Sequence, residues 1–185
     1  MKYVSLNNQV FPSEEYSLVP IRFEDRLLIM QWRNEQIYHL RQNKLLTEAD
    51  QDNYFNHVIS KEFTQGKPGQ LLFSFLKNGI CIGYGGLVHI NYVDKNAEIS
   101  FIMNTSLETG FFEINWLAYL HLIQKVAFEE LKFHKIFTYA FDIRPHLYPM
   151  LLKAGFYEDA RLKNHCYFDD KYIDVLIHSK LNIDA

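Results

Sequence analysis

Cysteine is nearly absent from the chain, and no apolar run is long enough to cross a bilayer. Cys81 and Cys166 are the only cysteines, so a framework of several disulfides is excluded and we read both as reduced packing residues. The longest apolar segment, Trp116 to Leu131, is interrupted by charged residues and predicts a core helix rather than a membrane span. Met1 to Tyr16 lacks the apolar stretch of a signal peptide, and we therefore expect a cytoplasmic protein.

The sequence also lacks a block of basic residues. Its net charge is −3, which argues against nucleic acid as a partner, and no feature favours a membrane. No histidine shows the spacing to cysteines or carboxylates that a metal site requires, so no metal is predicted. Aromatic residues are abundant instead, because 12 tyrosines and 15 phenylalanines occur in 185 residues. This composition predicts one domain with an aromatic-rich core.

Hydrophobic periodicity and turn residues predict an α+β chain with seven strands and four helices. The order is β-α-α-β-β-β-α-β-α-β-β, and its short strand–helix–strand unit implies one parallel strand pair beside an antiparallel meander. The predicted strands cover residues 16–23, 70–77, 80–91, 97–103, 134–141, 156–162 and 172–178, and the helices cover 24–34, 48–60, 113–132 and 145–155. Thr47, with Asp50 three positions later, predicts the start of the second helix.

The segment from Cys81 to Met103 is the most informative part of the chain. It contains two strand-like runs that are joined by a short polar connection, as in a hairpin. Gly83, Gly85 and Gly86 lie in the first run, where a missing side chain lets another backbone or a ligand approach closely. Glu98 opens the second run among apolar neighbours. The pattern predicts a hairpin that presents both open backbone and a carboxylate.

Six short sequence motifs follow one another along roughly residues 16–180. They are Trp32-Arg33-Asn34, Tyr84-Gly85-Gly86-Leu87, Ala97-Glu98-Ile99-Ser100-Phe101, Ala127-Phe128-Glu129-Glu130-Leu131, Lys153-Ala154-Gly155-Phe156 and Lys171-Tyr172-Ile173-Asp174-Val175. In this order they resemble the GCN5-related N-acetyltransferases, the GNAT superfamily, and most closely its RimL-like and amino-sugar-nucleotide branch. The resemblance implies one GNAT domain over residues 1–185, with a mixed, strongly twisted sheet.

The resemblance also implies an activity, that of an acyl-CoA-dependent N-acyltransferase with acetyl-CoA as its co-substrate. The expected acceptor is the amino group of a small molecule or of an amino-sugar nucleotide. RimL-like relatives add protein N-terminal acetylation as a further interpretation. Formation of a homodimer stays open.

The resemblance is incomplete at the start of the long helix. Family members carry Gln or Arg and then a Gly-x-Gly pair there, whereas the aligned residues 111–116 read FFEINW. Ile114 and Trp116 replace the two glycines, and Glu113 adds a carboxylate where phosphates are expected. Such a degenerate pyrophosphate loop supports an alternative function, a GNAT-fold binding or assembly protein that no longer uses acetyl-CoA.

The resemblance assigns residues to the donor site. The backbone of Ile102, Met103 and Asn104 is expected to hold the pantetheine arm. The start of the long helix is expected to face the pyrophosphate through its amides and its dipole. The residues concerned are Phe112, Glu113, Ile114, Asn115 and Trp116. Arg144 is a further candidate for contact with a phosphate.

Three residues are candidates for proton transfer under this resemblance. Glu98 or His89 would take a proton from the acceptor ammonium, directly or through water. The tyrosine that protonates the departing thiolate in the family is replaced by Leu151, and Tyr148, one turn earlier, is the candidate substitute. The alternative is structural, with Glu98 paired to a cation on a neighbouring strand and His89 an ordinary polar group.

Trp32, Arg33 and Tyr84 are the candidates for binding the acceptor. Trp32 would stack on a base or sugar, and Arg33 would pair with a phosphate. The alternative places Trp32 in the core and Arg33 in a surface ion pair.

Overall fold

The computed structural model describes residues 1–40 and 42–183. The strands are β1 (Phe11–Ser13), β2 (Tyr16–Pro20), β3 (Leu71–Lys77), β4 (Ile80–Asn91), β5 (Asn96–Met103), β6 (Lys135–Phe141), β7 (Tyr157–Phe168) and β8 (Lys171–Leu181). The helices are α1 (Arg26–Glu35), α2 (Glu48–Tyr54), α3 (Glu108–Gln124) and α4 (Tyr148–Lys153). A π-helical turn extends α2 through Phe55–Ile59 to Ser60–Glu62, and another extends α3 through Lys125–Glu130.

The strands of the described residues form one mixed sheet in the order β1-β2-β3-β4-β5-β6-β8-β7. The predicted α+β class and the predicted order of elements are confirmed, with four helices and one strand more than the seven expected. The additional strand is β1, which turns back onto β2 through three residue pairs. A strand this short carries too little alternation to be recognised from the sequence.

The second helix begins where the sequence predicts. The Asp50 amide donates to Oγ1 of Thr47 over 3.2 Å, and the Thr47 amide donates to Oδ2 of Asp50 over 3.0 Å. This reciprocal capping box satisfies two amides that the first turn of a helix leaves unpaired.

The third helix differs from its prediction, because it begins at Glu108 rather than at residue 113. Thr109 and Gly110 interrupt it with non-helical backbone, and Gly110 has φ of 87°. A positive φ is accessible to glycine without steric cost. The regular turns of α3 therefore start at Phe111, within the FFEINW segment.

The centre of the sheet opens into a cleft between β5 and β6. These strands are parallel, and their pairing covers only Asn96↔Lys135, Ala97↔Ile136 and Glu98↔Phe137. Along the rest of its length β5 pairs only with β4. The divergence leaves the β6-facing edge of β5 without a neighbouring strand.

The cleft has two sides, because side chains alternate between the faces of a strand. Phe101 of β5 points to α3, where its ring stacks on Tyr119 with centroids 3.7 Å apart. Tyr84 of β4 pairs with Ile102, the neighbour of Phe101, and its hydroxyl accepts a hydrogen bond from Arg33 of α1 on the opposite face. We call these the α3 side and the α1 side of the cleft.

Candidate active site

The cleft between β5 and β6 contains a cavity of about 670 Å³. Its walls include the consecutive residues Ile99–Ile102 of β5 and Thr138–Phe141 of β6. Residues from both sides of the sheet line it, among them Trp116 on the α3 side and Glu98 on the α1 side. The cavity therefore crosses the sheet and can hold two ligands that meet between the diverging strands.

The α3 side presents three buried polar atoms that have no hydrogen-bond partner among the described residues. They are Nε1 of Trp116, Oγ1 of Thr138 and Nε of Arg144, and all three residues line the cavity. An unsatisfied buried donor costs about 1–3 kcal/mol, so folded proteins contain few. Their grouping fits an extended ligand with several acceptor oxygens, as acetyl-CoA has.

Arg144 organises the entrance near the start of α3. Its Nη2 donates to Oε1 of Glu108 over 2.9 Å, and its Nη1 lies 3.2 Å from Nε2 of His39. The guanidinium also lies over the rings of Phe112 and Trp116, at 5.8 and 6.0 Å from their centroids. Burial, and then the charge of Arg144, lowers the pKa of His39 to about 3. The imidazole is thus neutral and can accept from the arginine.

The expected pyrophosphate residues point in different directions. Asn115 is buried, and its Oδ1 accepts a hydrogen bond of 3.1 Å from Tyr16, whereas Ile114 is exposed. Oε1 of Glu113 accepts a hydrogen bond from Nζ of Lys153. The carboxylate that the sequence places near the phosphates is therefore accompanied by a cation.

The β5 residues expected to hold the pantetheine arm are placed unevenly. Ile102 lines the cavity. The carbonyl of Met103 accepts from Gln36 over 2.8 Å, and the amide of Asn104 donates to the carbonyl of Ile82 over 2.9 Å. The part of β5 that lines the cleft therefore runs from Glu98 to Ile102, earlier in the strand than the sequence indicates.

The α1 side brings together His89 and Glu98, the two candidates for taking the proton of the acceptor ammonium. Nδ1 of His89 lies 2.8 Å from Oε2 of Glu98, with 66% of the histidine side chain and 16% of the glutamate side chain exposed. The pairing of β4 with β5 is irregular between Val88 and Asn91, and His89 adopts φ of 49° there. A bulge of this kind changes the direction of one side chain. His89 and Glu98, which the sequence offers as alternative bases, therefore form one hydrogen-bonded pair.

The acceptor candidates divide between the cleft and the core. Nη1 of Arg33 donates to the Tyr84 hydroxyl over 2.7 Å, and its Nε donates to Oε1 of Gln42 over 3.0 Å. Arg33 lines the cavity. Trp32 is 2% exposed and belongs to the hydrophobic core. Trp32 thus lies in the core, as its structural alternative states, and not at the acceptor site.

Tyr148 is engaged away from the cavity wall. Its hydroxyl donates to Oδ1 of Asp142 over 2.7 Å, and its ring stacks on His178 with centroids 5.2 Å apart. Burial and the hydrogen bond to Asp142 raise the pKa of Tyr148. That Tyr148 protonates the departing thiolate stays a prediction.

Several residues that line the cleft were not singled out by the sequence, among them His39, Thr138 and Tyr139. Thr138 and Tyr139 belong to a strand that reads as ordinary core, and His39 follows α1 in a segment without periodicity. Only the divergence of β6 from β5 reveals that these side chains border a cavity.

Two general searches of the described residues were negative. In residues 1–40 and 42–183, no three His, Cys, Asp or Glu side chains gather as a metal site. No helix in the same residues has the length and apolar character to span a membrane.

Comparison with known proteins identifies what this architecture is similar to. The model of the family described as "Acetyltransferase (GNAT) domain" matches residues 18–177. The structure of spermidine N-acetyltransferase from Vibrio cholerae in complex with CoA and spermine is similar, with a TM-score of 0.76 and 19% identity over 92% of this chain and 97% of that one. A dodecameric form of the same enzyme, in an intermediate state, gives a TM-score of 0.71 and 19% identity over 92% and 95%. At this identity the solved structures establish the fold.

Proposed function

The chain belongs to the GNAT acetyltransferase family, which uses acetyl-CoA, and on this premise we propose that it acetylates the amino group of a small molecule inside the cleft. The sequence resemblance would narrow the acceptor to an amino-sugar nucleotide, an alternative that the comparison of acceptors below tests. We also propose a cytoplasmic location, which agrees with the low cysteine content of the chain.

One observation carries the proposal. The cavity crosses the sheet between the diverging strands, with unsatisfied donors on its α3 side and the His89–Glu98 pair on its α1 side. A donor and an acceptor that enter from opposite sides are held next to each other, and such positioning supplies a large part of the rate of a two-substrate reaction.

The residues of the α3 side suit the acyl donor. Nε1 of Trp116, Oγ1 of Thr138 and Nε of Arg144 are available to oxygen acceptors of acetyl-CoA. When bound, acetyl-CoA supplies the thioester, whose carbonyl carbon forms the new bond to nitrogen while its carbon–sulfur bond breaks and the thiol leaves.

The residues of the α1 side manage the proton. An amine enters as an ammonium ion and must lose one proton before its nitrogen can act as a nucleophile. The His89–Glu98 pair accepts this proton and passes it to solvent through the exposed imidazole. The second proton lost by the nitrogen leaves with the sulfur, so the products are the amide, the free thiol and one proton.

A second candidate function, the binding or assembly protein without catalysis, is favoured by one observation. Arg144 is tied to Glu108 and lies over the ring of Phe112 at the start of α3. If this contact does not open to a phosphate, the coenzyme cannot bind in the family's manner.

The substitution Glu98→Gln tests the transferase function against the binding function, because only a transferase has a turnover that the substitution can lower. The substitution keeps the size of the side chain and removes its charge, so we expect turnover to fall by about 10²–10⁴-fold, the typical contribution of a general base. The dissociation constant of acetyl-CoA, measured by calorimetry, should stay within about threefold.

Glu129→Gln, at an exposed position of the π-helical turn after α3, is the matched control and should change neither quantity. If the unmodified protein fails to bind acetyl-CoA or CoA at millimolar concentration and acetylates no amine, the transferase proposal is wrong and the binding function is preferred.

A further inference from the structure

A second cavity, of about 380 Å³, lies between α1 and α2. We call it the α1–α2 cavity. Its apolar lining consists of Ile21, Ile29, Leu46, Tyr54, Phe55 and Val58. Ligand pockets commonly measure roughly 300–1,000 Å³ and are mostly apolar with a few polar groups. The acetyl transfer described above leaves this cavity without a role.

The α1–α2 cavity shares a polar wall with the cleft. Arg33 lines both spaces, and its Nη1 donates to the hydroxyl of Tyr84, which lines the α1–α2 cavity. A second hydrogen-bonded pair joins Tyr54 of the α1–α2 cavity to Gln70 of the cleft, with Nε2 of Gln70 3.1 Å from the hydroxyl. A molecule held at this wall therefore lies next to an apolar space on one side and to the reacting groups on the other.

The charge at the wall indicates what kind of group binds there. Arg33 is partly buried and, within residues 1–40 and 42–183, forms no ion pair with a carboxylate. Two nearby carboxylates accept other hydrogen bonds: Oε2 of Glu62 from the amide of Gly69, and Oδ2 of Asp50 from the amide of Thr47. A partly desolvated guanidinium without an anionic partner favours an anion on the ligand, because its planar donors match a carboxylate.

We propose that the acceptor is an amino carboxylic acid with an apolar side chain, such as a hydrophobic amino acid or a short peptide of such residues. Its amino group faces His89 and Glu98, its carboxylate pairs with Arg33, and its side chain occupies the α1–α2 cavity. This inference rests on the proposed function and narrows its substrate class. Spermine, which the Vibrio cholerae enzyme binds, is a polycation and would meet an arginine at this wall.

The first experiment compares acceptors that differ in one group. We expect kcat/KM for phenylalanine and leucine to exceed that for phenethylamine and isoamylamine, which lack the carboxylate, by at least about tenfold, equivalent to about 1.4 kcal/mol. The dipeptide leucyl-phenylalanine tests a longer spacing between amine and carboxylate. Spermidine and an amino-sugar nucleotide should be poor acceptors.

The second experiment changes the wall and the cavity in turn. Arg33→Met should lower kcat/KM for phenylalanine at least about tenfold while that for phenethylamine changes little, and Arg33→Lys should restore part of the loss. Leu46→Trp fills the cavity and should raise KM for phenylalanine without changing KM for acetyl-CoA. Leu45→Trp is the matched control, because Leu45 is the adjacent residue, is 63% exposed and lies outside the cavity lining.

The outcomes distinguish this inference from the proposed function. Equal use of phenylalanine and phenethylamine, preference for spermidine or an amino-sugar nucleotide, or no transfer to any of these acceptors by a protein that binds acetyl-CoA overturns the amino-acid assignment alone. Direct calorimetry of phenylalanine with the CoA-bound protein gives a readout independent of turnover, and absence of binding there also rejects the inference. Failure to bind acetyl-CoA rejects the proposed function itself.

Discussion

The role of a single side chain depends on neighbours that a sequence does not reveal, as Glu113 illustrates. In the sequence, Glu113 lies in the segment where the family binds phosphates, so its carboxylate is expected to repel them. In the structure Nζ of Lys153 donates to Oε1 of Glu113, and both side chains are more than half exposed. The pair contributes no net charge at the start of α3. The site therefore repels phosphate less than the carboxylate in FFEINW indicates.

This pair gives a prediction for coenzyme affinity. Glu113→Gln leaves Lys153 free to attract phosphate, and we expect the dissociation constant of CoA to fall by about two- to fivefold, the range for exposed charges. Lys153→Met should raise it by a similar factor. Titration calorimetry at low and high salt measures both, and the differences should shrink as salt screens the charges.

Weaker binding by Glu113→Gln would contradict this account. It would mean that the carboxylate positions the start of α3 rather than repelling phosphate.

At the scale of elements, the central strands tolerate no additional atoms at their glycines. A Cβ on Gly86 would lie 1.9 Å from the carbonyl oxygen of Leu71 in β3, and one on Gly85 would lie 2.1 Å from that of Ser100 in β5. Real contacts do not approach this closely, so a side chain at either position must push β4 away from a neighbouring strand. The glycines thus set how closely the strands beside the cleft can pack.

Gly86→Ala should therefore destabilise the fold. We expect a loss of about 1–3 kcal/mol or more in the free energy of unfolding, as for an overpacked core. Denaturation by urea measures the loss. Gly66→Ala is the matched control, because a Cβ there meets nothing within 4 Å. Equal stability of the two variants would show that β4 moves without cost.

The helices and strands also show how far local patterns predict structure. The capping box at Thr47 and the hairpin of β4 and β5 are predictable, because their signals lie within a few residues of each other. The predicted start of α3 is wrong, because the helix already begins at Glu108 and is interrupted by non-helical backbone at Thr109 and Gly110, a break that apolar periodicity does not reveal. The β7–β8 hairpin is longer than predicted, since its β7 strand is largely exposed and lacks an apolar alternation.

At the scale of the whole molecule, the His39–Arg144–Glu108 cluster joins segments from distant parts of the chain. His39 follows α1, Glu108 begins α3 and Arg144 precedes α4. Gln36 and His146 also face the imidazole of His39. His39 and Arg144 of this cluster also line the cleft.

The lowered pKa of His39 predicts a dependence of stability on pH. Burial and Arg144 lower the pKa of His39 from 6.5 to about 3, so below pH 6.5 the unfolded chain binds a proton that the folded protein does not. The stabilisation is complete above pH 6.5 and is lost as pH falls towards 3.

His39→Gln, which keeps an acceptor for Arg144, should lose less stability on acidification than the unmodified protein. We expect a difference in the fall of Tm between pH 8 and pH 5 of roughly 2–4 °C, which corresponds to about 1 kcal/mol in a domain of this size. Thermal unfolding across this range measures it. His57→Gln, at an exposed histidine, is the control, and an equal fall in both variants would reject the assignment to His39.

The sequence by itself determined the family, the order of elements, the hairpin that carries Glu98 and the cationic candidate Arg33. These properties depend on local periodicity, turn residues and short motifs, whose residues lie close together in the sequence and can be recognised without the structure. Only the tertiary structure decided that His89 meets Glu98, that Arg144 reaches partners 36 and 105 residues away, and that Arg33 stands between two cavities. Such contacts arise from how strands diverge and helices pack across the sheet, so no local pattern encodes them.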